Sequence, residues 1–277
     1  MSFRDILVQI DETKASRDRA IAAAGLAARM QAHLTGVFLK SEFLRSYMAG
    51  EVLAYLPPDT IDQLVREHAA GVAKASETAR PILEDAARAA GVKSDWLIIE
   101  GEDGEALSAT ARRFDLTVMP PSVTATLGWR HLSVTDVAFA SGGPALVMPA
   151  KALPFLGEKI LVAWKGTHES ARALHDAWPL IEKAREVHVL IVDPEGEGGP
   201  EGLLQRHFER HGCKANLIVD RSQDAAAGDI LRRQVAALGV DLVVMGLYGR
   251  SRLQEMILGG VSRDMLGDPP AALFVSH

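Results

Sequence analysis

Cysteine is nearly missing from this chain. Cys213 is the single one among 277 residues, so no disulfide can form within the chain, and a reducing compartment fits. Aromatic residues are scarce at 5%, so the core has to be aliphatic and rich in small side chains, which an apolar content of 48% supplies. No apolar run approaches the roughly 20 residues of a membrane span. The charged opening MSFRDILVQID has no signal-peptide core, so a cytoplasmic protein without membrane contact is expected. Long basic runs are absent too, and a net charge of −6 leaves no electrostatic footprint for nucleic acid. G-x-S-x-G, H-E-x-x-H and C-x-x-C do not occur, so nothing points to a serine hydrolase, a zinc peptidase or a dithiol site.

What is present is an internal repeat. RDILVQIDETKASRDRAIAAAGLAARM near the start aligns without gaps with EKILVAWKGTHESARALHDAWPLIEKA, which begins at Glu158, so that Ile6 matches Ile160. Near the ends, FDLTVMPPS from Phe114 matches VDLVVMGLY from Val240. The first repeat carries extra length in its middle. Two domains follow, residues 1–150 and 157–277, with residues 150–158 as the linker.

Strands are expected near 5–11, 33–40, 95–99, 115–119 and 144–149, then near 159–165, 186–192, 215–219, 240–245 and 271–276. They are continuous apolar runs, as in parallel strands covered on both faces. Helices are expected near 14–32, 59–91, 104–113 and 130–141, then near 168–184, 200–211, 224–238 and 253–267, with Pro81 kinking or splitting the long one. Ala171, Leu174, Trp178 and Ile181 put one face of the 168–184 helix on the sheet. The fold class is α/β: two doubly wound five-stranded parallel-sheet domains in tandem. Edge strands 144–149 and 271–276 are candidates to pair across the repeats. Ligands in such sheets sit beyond the carboxyl ends of the strands.

The stretch VVMGLYGRSRLQEMILGGVS, from Val243 to Ser262, sits at such an end. Gly246, Gly249 and Gly259 are spaced as G-x2-G-x9-G and followed by Gly260, Val261 and Ser262. With DLVVMG before it and ILV opening each repeat, the chain resembles the universal stress protein family in its tandem form. The resemblance covers nearly all of the sequence. It implies sheets of order 3-2-1-4-5 and an adenine nucleotide, ATP with Mg, held between the end of strand one and the loop after strand four. The glycines would let main-chain N–H groups approach phosphate, and Arg250 would supply a mobile charge. The nucleotide-binding set it implies is Lys165, Thr167, Val192, Gly246, Gly249, Arg250, Gly259, Gly260, Val261 and Ser262. A homodimer is implied by the same analogy.

The chain departs from the family pattern in both halves. The acid at the end of strand one survives as Asp11 in the first repeat, but Lys165 replaces it in the second, and Lys can only donate hydrogen bonds. Gly260 replaces the usual Ser or Thr. After strand four the first repeat reads Met119-Pro120-Pro121-Ser122, where two prolines delete amide donors. That makes Asp11 part of a degenerate site and directs any nucleotide, ATP or AMP, to the C-terminal domain. The expected function is a non-catalytic stress-response protein. Two alternatives stay open: a slow ATP hydrolase or nucleotidyl transferase using Asp193 or Asp220, and an interaction scaffold without nucleotide.

Other clusters have plainer readings. His207, His211 and Cys213 lie in RHFERHGC, where a solvated helix end accounts for them without a metal. Ser141 to Pro144 reads as a helix stop, and Glu100, Glu102, Asp103 and Glu105 as a helix entry. Residues 43–56, with Phe43, Leu44, Tyr47, Met48 and Tyr55, read either as core packing or as a site for an apolar ligand or protein partner.

Overall fold

A computed structural model describes residues 2–40, 57–100, 104–121, 134–150, 156–193, 201–247 and 260–277. The first repeat supplies strands β1 (Asp5–Gln9), β2 (His33–Lys40), β3 (Ser94–Glu100), β4 (Leu116–Met119) and β5 (Ala145–Val147). The second supplies β6 (Lys159–Trp164), β7 (Glu186–Val192), β8 (Ala215–Asp220), β9 (Leu242–Gly246) and β10 (Ala272–Ser276). Between them run α1 (Lys14–Met30), α2 (Pro58–Ala90), α3 (Gly104–Ala111), α4 (Val134–Ser141), α5 (His168–Asp176), α6 (Trp178–Ile181), α7 (Glu201–Arg210), α8 (Ala227–Leu238) and α9 (Val261–Gly267).

Among the described residues, these ten strands join one sheet of order β3-β2-β1-β4-β5-β10-β9-β6-β7-β8. Each half is parallel and has the 3-2-1-4-5 order. The halves meet where β5 pairs antiparallel with β10, Leu146 opposite Phe274, so the two expected edges do cover each other. One face of the sheet is covered by α1, α2, α5, α6 and α7 over Ile6, Val8, Ile160, Val162 and Phe274. The other is covered by α3, α4, α8 and α9 over Leu7, Val147, Leu161, Val243 and Leu273. Each layer of core crosses the seam without a break, and Phe3 packs 6.2 Å, ring to ring, from Phe274.

The matching DL pairs of the repeats have a physical task. Asp115 accepts main-chain N–H bonds from Arg4 and Asp5 at the start of β1. Asp241 does the same for Gly157, Glu158 and Lys159 at the start of β6. Each carboxylate thus satisfies donors that the incoming chain would otherwise leave without partners.

Two helix expectations need correction. Pro81 does not split the long helix: α2 runs unbroken from Pro58 to Ala90. Pro81 and Glu77, whose carbonyl loses its partner, lie at exposed positions where water can serve. The 168–184 helix, by contrast, breaks into α5 and α6 at Ala177. Pro179 in the first turn of α6 cannot donate to His175, and its ring would crowd that carbonyl. The face turned to the sheet is Ala173, Leu174, Ala177, Leu180 and Ile181, with Ala171 and Trp178 at its margin. The helix stop at Ser141 is present, with Gly142 turning the chain toward β5. Residues 43–56, and the acidic positions Glu102 and Asp103, lie outside the described residues.

Candidate functional site

The carboxyl ends of β1 and β6 occupy equivalent places, and the same positions in the two repeats carry different chemistry. At the end of β1, Asp11 faces Arg19 from α1. Arg19 is 3% exposed; its Nη2 lies 3.2 Å from Asp11 Oδ2 and 2.7 Å from Gln9 Oε1, and its Nε donates to the Gln9 carbonyl at 2.7 Å. Asp11 Oδ1 also accepts from the Thr13 main chain and hydroxyl, and the Asp11 N–H donates to Ser16 Oγ at 2.8 Å. Burial pulls the Arg19 guanidinium below its ordinary range, while the Asp11 charge and hydrogen bond push it back up. This is a closed network, in which the acid left over in the first repeat is already neutralised.

In the second repeat, the alignment that matches Asp11 with Lys165 matches Arg19 with Ala173. Both members of the ion pair are replaced together. Lys165 is exposed, and among the described residues no ion pair engages it. The sheet register sets Trp164 beside Ile191 and Ala163 beside Met245. The chain ends carrying Lys165, Val192 and Gly246 therefore leave the sheet side by side. Thr167 opens α5 with a reciprocal cap: its Oγ1 accepts from the Ser170 N–H, and the Thr167 N–H donates to Ser170 Oγ at 3.1 Å.

Gly246 lies directly against that first turn. A Cβ on Gly246 would sit 2.5 Å from the Glu169 carbonyl carbon and 2.7 Å from both Glu169 Cβ and the Ser170 nitrogen. The glycine lets β9 pass under α5, which is a packing reason for its identity. Glu169 itself was read only as part of a helix. Its side chain is 5% exposed; Oε1 meets His168 Nε2 at 2.8 Å, and Oε2 has no hydrogen-bond partner among the described residues. Burial raises its pKa, but hydrogen bonds from its own main chain and from Thr167, with His168 and His277 nearby, outweigh that and hold it below the ordinary carboxylate value. The sequence signal was present: a Glu one residue before the capping Ser, at the foot of a glycine-ended strand.

Gly260 caps α9, Val261 packs in the core layer beneath α8, and Ser262 is buried. Gly249, Arg250 and Gly259 lie outside the described residues. Asp193 and Asp220, the acids named for a nucleotide-cleaving alternative, lie at the ends of β7 and β8: the Asp193 N–H donates to the Asp220 carbonyl, and Asp220 Oδ1 accepts from the Ser222 N–H at 2.9 Å.

Between α5, α6 and α7 lies a ring cluster that the sequence only half revealed. His207 and His211 are joined there by His175 and Trp178: ring centroids are 4.6 Å apart for His207 and His211, 5.8 Å for His175 and His207, and 4.5 Å for Trp178 and His211. His207 Nε2 is buried without a hydrogen-bond partner among the described residues. Burial first, and then the charges of His211, His175 and Arg210, lower the pKa of His207. Among the described residues no three His, Cys, Asp or Glu side chains converge as a metal set, and no helix is long and apolar enough to cross a membrane.

No protein-family model matches the sequence, and no curated protein matches it. Solved structures do match. A universal stress protein from Archaeoglobus fulgidus DSM 4304 has a TM-score of 0.74 at 16% identity, over 98% of this chain and 97% of that one. A putative universal stress protein from Pseudomonas aeruginosa UCBPP-PA14 has a TM-score of 0.56 at 17% identity, over 99% of this chain and 93% of that one. A functionally unknown protein from Pseudomonas aeruginosa PAO1 has a TM-score of 0.57 at 16% identity, over 99% and 92%. Along nearly its entire length, then, the chain carries the fold of a universal stress protein.

Proposed function

We propose that this is a non-catalytic stress-response protein of tandem universal stress architecture, with domains 1–150 and 157–277, that binds an adenine nucleotide, ATP, in the second domain. One observation carries the reading. The strand-end acid of the first repeat is consumed by Arg19, whereas the second repeat has lost both partners and presents Lys165, an exposed cation with no ion pair among the described residues. A lone ammonium beside the capped start of α5 favours an anionic ligand. Lys165 would hold phosphate together with the main chain of the Gly249 to Gly259 loop, Arg250 and the Gly260 to Ser262 segment. Thr167 and Gly246 would shape the floor of the site, and Val192 would meet the nucleoside. No carboxylate set among the described residues is arranged for a divalent cation, so Mg is assigned to the phosphates of the nucleotide.

The test is titration calorimetry of the whole chain with ATP and Mg, with phosphate release followed in parallel. Lys165→Glu should weaken binding at least tenfold and leave the thermal midpoint within a degree or two, since the position is exposed. Binding without turnover supports the reading. Turnover that Lys165→Glu abolishes would replace it with an ATP hydrolase. An absence of binding in the parent protein, with no nucleotide released on denaturation, would leave only an interaction scaffold. Gly246→Val, an obvious loop variant, is unsuitable because it would strike α5.

A further inference from the structure

Among the described residues, the sheet has two outer edges, β3 and β8. They are not alike. Strand β3 is seven residues long, SDWLIIE, and two large apolar side chains on it are open: Leu97 is 37% and Ile98 53% exposed. It has no proline and no lysine, two of the devices that usually keep an edge from pairing. Strand β8 has no large apolar side chain exposed to this degree.

The hydrogen bonding of β3 fixes which groups face outward. The Leu34 N–H donates to the Lys93 carbonyl at 3.2 Å, with Leu34 in register with Ser94. In a parallel pair, a residue points both main-chain groups at the same neighbour and the next residue points both away. Lys93, Asp95, Leu97 and Ile99 therefore bond to β2. Ser94, Trp96, Ile98 and Glu100 turn their N–H and C=O groups away from β2, to the edge that no described strand covers.

We infer that a second copy of this chain pairs antiparallel along β3, with the two-fold axis at Leu97. Centred there, Ser94 meets Glu100 and Trp96 meets Ile98, so every outward main-chain group on the strand is bonded. A register centred on Ile98 would leave Ser94 out. The side chains agree. Asp95 falls opposite Ile99 and not opposite itself, so its charge faces no like charge, and Trp96 against Ile98 is an aromatic pair with a β-branched partner. The chain already uses this kind of joint once, between β5 and β10. A two-fold self-pairing closes as a dimer, whereas β3 on β8 is head-to-tail and gives a ring or an open filament.

The test uses the full-length chain. Light scattering across a concentration series should show a dimer, and Ile98→Lys should raise its dissociation constant at least tenfold with the thermal midpoint of the monomer kept. Register is read by disulfide trapping in a Cys213→Ser background. Leu97→Cys sits opposite itself as a non-hydrogen-bonded pair, with Cα atoms about 4.5 Å apart, near the lower limit for a disulfide. It should cross-link on mild oxidation, while Asp95→Cys, placed opposite Ile99, should not. A monomer at every concentration overturns the proposal. So does a dimer that Ile98→Lys leaves intact, or cross-linking at Asp95→Cys as efficient as at Leu97→Cys.

Discussion

Replacing Gly246 by alanine separates packing from ligand binding at the end of β9. The added methyl carbon meets three atoms at 2.5 to 2.7 Å, two of them main-chain and the third the Glu169 Cβ, so no flexible side-chain end can swing aside. Either α5 lifts or β9 shifts. Overpacking of this sort costs about 1–3 kcal/mol. The loss of unfolded-state entropy on Gly→Ala offsets only about 0.4–1 kcal/mol of that. A net loss near 2 kcal/mol is expected, because the clash involves a helix held by a reciprocal cap and packed across β9 and β10. In a chain of this size that lowers the thermal midpoint by roughly 4–8 °C, taking 2–4 °C per kcal/mol. Gly71→Ala is the control: Gly71 lies inside α2 with nothing within 4 Å of a built Cβ, and alanine there should stabilise by up to about 1 kcal/mol. Urea unfolding of the two variants, without nucleotide, is the assay. A Gly246→Ala protein as stable as its parent would refute the packing argument.

Further outcomes follow from the same structure. Arg19→Ala removes the 3%-exposed partner of Asp11 and should cost about 3 kcal/mol by denaturant titration, much of it recovered by adding Asp11→Asn, since an unpaired acid is then no longer left in the network. Stability should fall with acidification in a way that His207→Phe suppresses. The lowered pKa of His207 means that the folded state holds fewer protons than the unfolded one, so its contribution is complete above the unfolded value of about 6.5 and is lost as pH drops through the folded value. His211 just beyond α7, Arg210 at its end and His175 on α5 add to that repulsion, and melts between pH 7.5 and 5 would show it.

The strands were legible because parallel strands covered on both faces leave unbroken apolar runs, and the repeat let each half check the other. Helix continuity was less legible. Pro81 and Pro179 look alike in sequence, but the first lies at an exposed position of a long helix and the second follows Trp178, which packs against His207 and Phe208. At the site, Lys165 for Asp11 was visible in the alignment, but the accompanying loss of Arg19 was not. An arginine within an alanine-rich helix reads as solvent-facing, and only the fold shows it turned back under β1. Glu169 was missed for the same reason: helix spacing does not reveal that a glycine-ended strand passes against the first turn.

The seam between the halves has a bearing on how the molecule assembles. In sequence β10 comes after the nine other strands, yet in space it stands at the middle of the row, between β5 and β9. During synthesis the first half must wait with β5 uncovered until the second half has been made, and a contact so distant along the chain is slow to find. Its partner, however, is built into the same polypeptide, so once β10 arrives the encounter no longer depends on protein concentration. Fusing the repeats exchanges a search through the cell for a delay on the ribosome.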